Sequence, residues 1–242
     1  MKILIIFLIF LFSSAIYSED LSEFEIEGIS IGDSALEHVS EDLIISEIKR
    51  TSEHYKYLNF PDKFGEVYIR DLNFDSYSHI SIFVKQDDEN YKIFMIRGMI
   101  SFDVLSDCLD LQKEIEMEFE DLFDNYEKSD YVYHPNLDPS GKSKKYDIYF
   151  NFPNGDNITL QCSDWSKEIK QENKWVSGIS VALLTSEFND WITDYWFNKK
   201  TVDKILNKLL IYFKILIDFI FIEINIMKKI LFLFILTISC NV

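Results

Sequence analysis

Hydrophobic residues recur along this chain with distinct spacings, and each spacing predicts a different structure. Ser34 precedes Ala35-Leu-Glu-His-Val39 and stands three residues before Glu37, a capping-box spacing that predicts a helix start. A second short helix follows from Ser40, with Leu43, Ile44 and Ile48 as its apolar stripe. The period then changes to two. Tyr77 to Val84 puts Ile80, Ile82 and Val84 on one face, Gln86 to Asn90 is a polar turn, and Tyr91 to Ile100 returns as a second strand. Asp103 stands where it would cap the longest helix. There Val104, Cys108, Leu111, Ile115, Phe119 and Leu122 step by three or four as one buried face, opposite a solvated stripe of Asp107, Asp110, Glu114, Glu118 and Asp121. Residues 125–145 read as a long polar loop. Tyr146, Ile148, Phe150 and Phe152 alternate on the next strand, Asn154-Gly155 is a strong hairpin signal, and Ile158, Leu160 and Cys162 alternate on the way back. A fifth strand over Val176–Leu184 leads to a last helix capped near Ser186, with Phe188, Trp191, Ile192 and Tyr195 inward. The pattern predicts an α+β domain in which an antiparallel sheet of about five strands packs one face on helices.

The two ends follow other rules. Residues 1–18 are one lysine, an apolar run to Phe12, then Ser13-Ser-Ala15-Ile-Tyr-Ser18, before an abrupt acidic turn at Glu19. This is the n-, h- and cleavage-region order of a secretory signal, with cleavage after Ala15 or Ser18. At the other end, 201–242 is a hydrophobic tail. Its last stretch, from Met227-Lys-Lys to Thr237-Ile-Ser-Cys240, resembles a second signal sequence ending in a lipoprotein-type lipobox. One reading makes the tail a read-through appendage from an AT-rich genome, since Ile, Lys, Phe and Asn abound. The other makes it a membrane tether, which would place Lys214 and Asp218 in hydrocarbon at roughly 2.5–3.5 kcal/mol each. The expected organisation is therefore a signal peptide (1–18), a single domain (19–200) and the tail (201–242).

Composition narrows the function classes. Of 24 basic and 41 acidic residues, one basic lies in 1–18, and five basic with three acidic lie in 201–242, leaving 18 and 38 for the domain and a net charge of -20. Phosphate recognition needs clustered Lys and Arg, and only Arg50, Arg70 and Arg97 occur, so nucleic acid is not an expected partner. A domain this acidic is also steered away from anionic lipid, so membrane contact is expected only through the tail. Cys108 on the helix stripe and Cys162 on an apolar strand face form an even pair in a chain marked for export, which predicts a disulfide between them; reduced core cysteines are the alternative.

Familiar catalytic chemistry lacks its parts. The four histidines, His38, His54, His79 and His134, show no metal spacing, and no H-E-x-x-H, C-x-x-C, G-x-S-x-G or glycine-rich phosphate loop occurs. His79 falls opposite Ile80 and Ile82, on a face expected to meet solvent. Asp71-Leu-Asn-Phe-Asp75 superficially echoes a calcium loop but has neither its glycine nor its distal glutamate. No metal, cofactor or catalytic residue is expected. Two features suit binding. Tyr126, Tyr131, Tyr133 and His134 lie among charges near Lys142, Lys144 and Lys145. Trp165 and Trp175 flank the connection between the last two strands.

The Gly28-Ile-Ser-Ile-Gly-Asp-Ser34 opening, the strand–strand–helix core with Cys108, and Ser186-Glu-Phe-Asn-Asp-Trp191 together resemble a family of small uncharacterised exported proteins of AT-rich bacteria, over roughly 25–197. More remotely, the short strand, I-G-x-S and helix are similar to the outer-membrane assembly lipoprotein and β-lactamase-inhibitor-like α/β modules, which bind proteins. The resemblance implies localisation and no activity. The expectation is an exported, periplasmic or secreted binding module whose partner is an unknown protein or envelope component. A membrane-tethered envelope protein and a carboxylate/Trp-based glycan-binding enzyme are the alternatives.

Overall fold

The computed structural model describes residues 21–59, 63–70 and 74–195. The chain divides into two compact units, Met1–Ile192 and Thr193–Val242, and the fold described is that of the first. The expected signal peptide, the tail with Cys240, and Asp71–Asn73 lie outside the described residues.

The domain is α+β, with a seven-stranded antiparallel sheet and a two-stranded ribbon. The ribbon, β1 (Glu25–Ile26) and β2 (Ile29–Ser30), turns through Glu27 and Gly28, both at positive φ, as a tight two-residue hairpin requires. The helix α1 (Glu41–His54) starts where Ser40 Oγ accepts from the Leu43 amide. Ser34 caps only a single 3-10 turn, Ala35–Glu37. The strands β3 (Phe64–Ile69), β4 (His79–Lys85) and β5 (Ile93–Ser101) form a meander, followed by α2 (Leu105–Leu122). A second meander, β6 (Glu127–Tyr133), β7 (Lys144–Asn151) and β8 (Asn157–Asp164), leads through α3 (Lys167–Asn173) to β9 (Gly178–Leu184). A last helix, α4, covers 186–195. The sheet order β3-β4-β5-β9-β8-β7-β6 inserts β9 between the two meanders, and every residue of β9 is buried.

Seven strands rather than five follow from two segments that carry no clean alternation. β3 holds Gly65 and Glu66 among its apolar residues, and Gly65 is required because a Cβ there would overlap the Ile48 side chain. β6 lies within the expected 125–145 loop. It is the last strand of the sheet and nearly all of it faces solvent, so it has no apolar phase to read. Asp103 does not cap α2. Val104 occupies that position without a side-chain hydrogen bond, because the helix begins one residue later than expected. α4 is capped near Ser186 as expected, by Thr185, whose Oγ1 accepts from the Phe188 amide. The β7–β8 hairpin closes through Pro153-Asn154-Gly155, with Phe152 and Asp156 bonded across it and Gly155 at positive φ.

The sheet divides the interior. On one face Val67, Ile82, Ile96, Val181, Leu160 and Phe150 pack under α1 and α2 as the main core. The buried row of α2 is Cys108, Gln112, Ile115 and Phe119, while Val104 and Leu122 at its ends are exposed. Cys108 and Cys162 are joined by a disulfide, with a Cα–Cα distance of 6.1 Å, tying α2 to β8. Gln112 supports the same junction by donating to the Tyr146 and Leu160 carbonyls. On the second face the described residues form an apolar cluster at one end, where Phe64, Phe83, Phe188 and Trp191 stack, the last two on α4. A shift of register between Phe83 and Val84 turns Phe94 towards this second cluster while Ile93 stays in the first.

Candidate ligand-binding face

The rest of the second face is polar, because alternate residues of each strand point there. Across β6, β7 and β8 the register pairs Tyr131 with Asp147 and Gln161, and Tyr133 with Lys145 and Ser163. The Tyr131 ring meets that of Tyr149 edge-on at 5.9 Å. Tyr133 and Tyr149 each donate a hydrogen bond of 2.9 Å to Asp147 Oδ2. Lys145 Nζ donates to Gln161 Oε1 at 2.7 Å and lies 5.2 Å from the Trp165 ring centroid. Trp165 in turn packs on Trp175, with centroids 4.8 Å apart.

Four of the six residues singled out from the sequence thus meet on one face: Tyr131, Tyr133, Trp165 and Trp175. Tyr126 lies on the other side of the sheet, packed against Phe150 at 5.0 Å as part of the main core. His134 follows the end of β6 and donates from Nδ1 to the Ser143 carbonyl. The three lysines do not form one basic cluster. Lys142 pairs with Glu168 at 3.0 Å, Lys144 points to solvent, and Lys145 turns onto the polar face. The loop behind them is held by Asp138, which accepts from the amides and hydroxyls of Ser140 and Ser143. Those bonds hold its carboxyl well below the usual range.

Asp147, Lys145, Tyr149 and Gln161 complete the face, and sequence reasoning passed over Asp147, Tyr149 and Gln161. The signal was present: Lys145, Asp147 and Tyr149 are the other phase of the strand whose apolar phase is Tyr146, Ile148 and Phe150. Asp147 is only 1% exposed, and its Oδ1 is the one buried side-chain polar atom among the described residues that has no hydrogen-bond partner. Burial pulls the Lys145 ammonium down to about 8, partly opposed by the Asp147 charge. Burial and then Asp147 push the Tyr133 and Tyr149 hydroxyls upward, which keeps both as hydrogen-bond donors at neutral pH.

Further along the same face, around β3–β5, a second polar group is closed on itself. Glu66 is fully buried. Its Oε1 accepts from Arg97 Nη2 at 2.6 Å and its Oε2 from the Tyr57 hydroxyl at 3.1 Å. Arg97 also donates to Ser81 Oγ at 3.1 Å and to the Tyr68 hydroxyl at 3.4 Å. His79, expected to meet solvent, is instead half-buried beside the Tyr68 ring. Burial, then Arg97 and Arg70, lower its pKa. This group has the completeness of a structural lock.

Elsewhere, a recess of about 450 Å³ is lined by Glu41, Gln86, Asp87, Asp88, Glu89 and Tyr91. Among the described residues no group of three His, Cys, Asp or Glu is placed to hold a metal ion, and no helix is long and apolar enough to cross a membrane. No family model, curated protein or solved structure matches this chain.

Proposed function

We propose that the domain is an exported, non-enzymatic binding module whose contact surface is the outermost strand β6 and the aromatic face beside it. The observation that carries this reading is the exposure of Tyr131 and Tyr133 at 57% and 40% on the aromatic face of the marginal strand, with Val132 between them exposed at 65% on its other face. Large exposed side chains on an edge strand are a liability unless they serve contact, and tyrosine is favoured at interfaces because it brings area and a hydrogen bond with few rotors. Trp165 and Trp175 extend the same aromatic surface inward. The Cys108–Cys162 disulfide is compatible with an oxidising destination, in keeping with the signal-like start of the chain. The partner is an unknown protein or envelope component.

The test is a capture experiment from envelope extract with the wild-type chain and a Tyr131→Ala/Tyr133→Ala double variant. Wild type should retain a reproducible partner that the variant loses. Equal recovery by both would remove this surface from consideration.

A further inference from the structure

We propose that the face around Asp147 is a saccharide site, taking a neutral pyranose ring that stacks on the aromatic residues and donates a hydroxyl to Asp147 Oδ1. The proposal rests on the binding-module reading and names the ligand class for its inner surface.

Asp147 Oδ1 is buried and has no hydrogen-bond partner among the described residues. A buried polar atom without a partner is costly, and native structures leave few of them. Both tyrosine hydroxyls of the site go to Oδ2, so the group that completes Asp147 must bring its own O–H or N–H. Three classes could do so: a cation, an anion with a protonated edge, or a neutral donor. Lys145 lies on the neighbouring position of the same face, near enough for its charge and that of Asp147 to act on each other, and it opposes a second cation. An anion would meet the Asp147 charge and a domain strongly negative overall. A neutral donor remains. Lys145 has further N–H groups beyond the bond to Gln161 and can donate to a ligand oxygen, so the site offers an acceptor and a donor close together.

The surrounding rings select among neutral donors. Tyr131, Tyr149, Trp165 and Trp175 place four aromatic rings beside this polar pair. A ligand that fits needs a flat apolar face and an edge of hydroxyls, which is the character of a pyranose ring. An extended peptide, the other common neutral donor, would instead add to the free side of β6. Oδ1 is buried, so a side chain beside it must turn aside for a hydroxyl to reach it. Tyr133, on the edge strand, has the space to do so.

Isothermal titration of the full chain with maltotriose, with tri-N-acetylglucosamine and, as the cationic probe, with lysine amide tests this. Saturable binding of at least one trisaccharide is expected. Asp147→Asn and Trp165→Ala should each weaken it by at least about tenfold, as expected when a ligand hydroxyl loses its matched partner or a ring loses its platform. Met117→Ala, exposed on α2, should leave it unchanged. If Asp147→Asn does not fold, Lys145→Gln and Trp165→Ala carry the comparison. Silence with both trisaccharides, or binding of lysine amide instead, overturns the saccharide assignment. In that case the binding-module reading still stands if the tyrosine double variant loses its captured partner. If trisaccharides titrate while capture is unaffected by that variant, the saccharide site stands and the edge-strand reading falls.

Discussion

Two buried carboxylates lie on the same face of one sheet, and they are solved differently. Glu66, on β3, has both oxygens matched, one by the Arg97 guanidinium and the other by the Tyr57 hydroxyl. Asp147, on β7, has two tyrosine hydroxyls on one oxygen and nothing on the other. A closed group stabilises, whereas a group left one partner short carries the cost of an unmatched buried atom. The two ends of the face differ in cover in the same sense. The Glu66 end adjoins the Phe64–Phe188–Trp191 stack, whereas the Asp147 end adjoins an edge strand whose tyrosines are exposed.

Removing one charge from each group should separate the two most clearly. Arg97→Met leaves Glu66 buried without its cation and should cost about 3–5 kcal/mol in urea unfolding. Asp147→Asn removes a charge that was only half matched and should change stability by no more than about 1 kcal/mol in either direction. Equal, large losses for both would make Asp147 a second lock rather than a site.

The disulfide sits on the opposite face and sets the scale for stability. Replacing Cys108 and Cys162 by Ala frees a loop with a sequence separation of 54 and should cost about 4 kcal/mol in the chain-entropy model. Chemical unfolding midpoints of the oxidised wild type and the double variant give the measurement.

Protonation distinguishes the two groups in a gentler way. The Lys145 pKa falls from 10.5 to about 8 on folding, so between those values the unfolded chain binds more protons than the folded one. Stability should therefore rise with pH from about 8 upward, because the native state is relieved of a buried charge. The trend should reverse near about pH 10, where tyrosines of the unfolded chain ionise while burial holds Tyr57, Tyr68, Tyr133 and Tyr149 protonated in the fold. Lys145→Met should abolish the rise and leave the reversal, as read from thermal midpoints across pH.

The smallest expected effect is at the margin. Val132→Ser, at the most exposed of the three edge side chains, should alter stability by less than about 0.5 kcal/mol, measured by urea unfolding, while the capture experiment reads its effect on contact.

Much of this arrangement was legible from residue spacing. Ile80, Ile82 and Val84, the Ile158–Cys162 alternation, and the Cys108-to-Phe119 stripe all report burial on one side, and the core is built from them. Their partnership as a disulfide followed from the same stripes. Tyr131, Tyr133, Trp165 and Trp175 stood out as aromatics in polar surroundings, but so did Tyr126, which packs against the core. Asp147, Tyr149 and Gln161 were not singled out, because the polar phase of a strand looks like an ordinary outward one until something determines that its face is partly covered. β6 was hidden for a related reason: solvent on nearly all sides removes the periodicity that burial imposes.

What the sequence determined by itself is local and periodic: which residues form strands and helices, which side of each is apolar, which cysteines can meet, and how acidic the surface is. These depend on neighbours a few positions apart, and chain geometry converts them directly into faces. The tertiary structure alone decided the insertion of β9 between the two meanders, and with it the continuous second face on which Glu66 and Asp147 both lie. It also decided that Glu66 met a guanidinium and Asp147 did not, because the matching of a buried carboxylate depends on side chains brought together from strands distant in the chain.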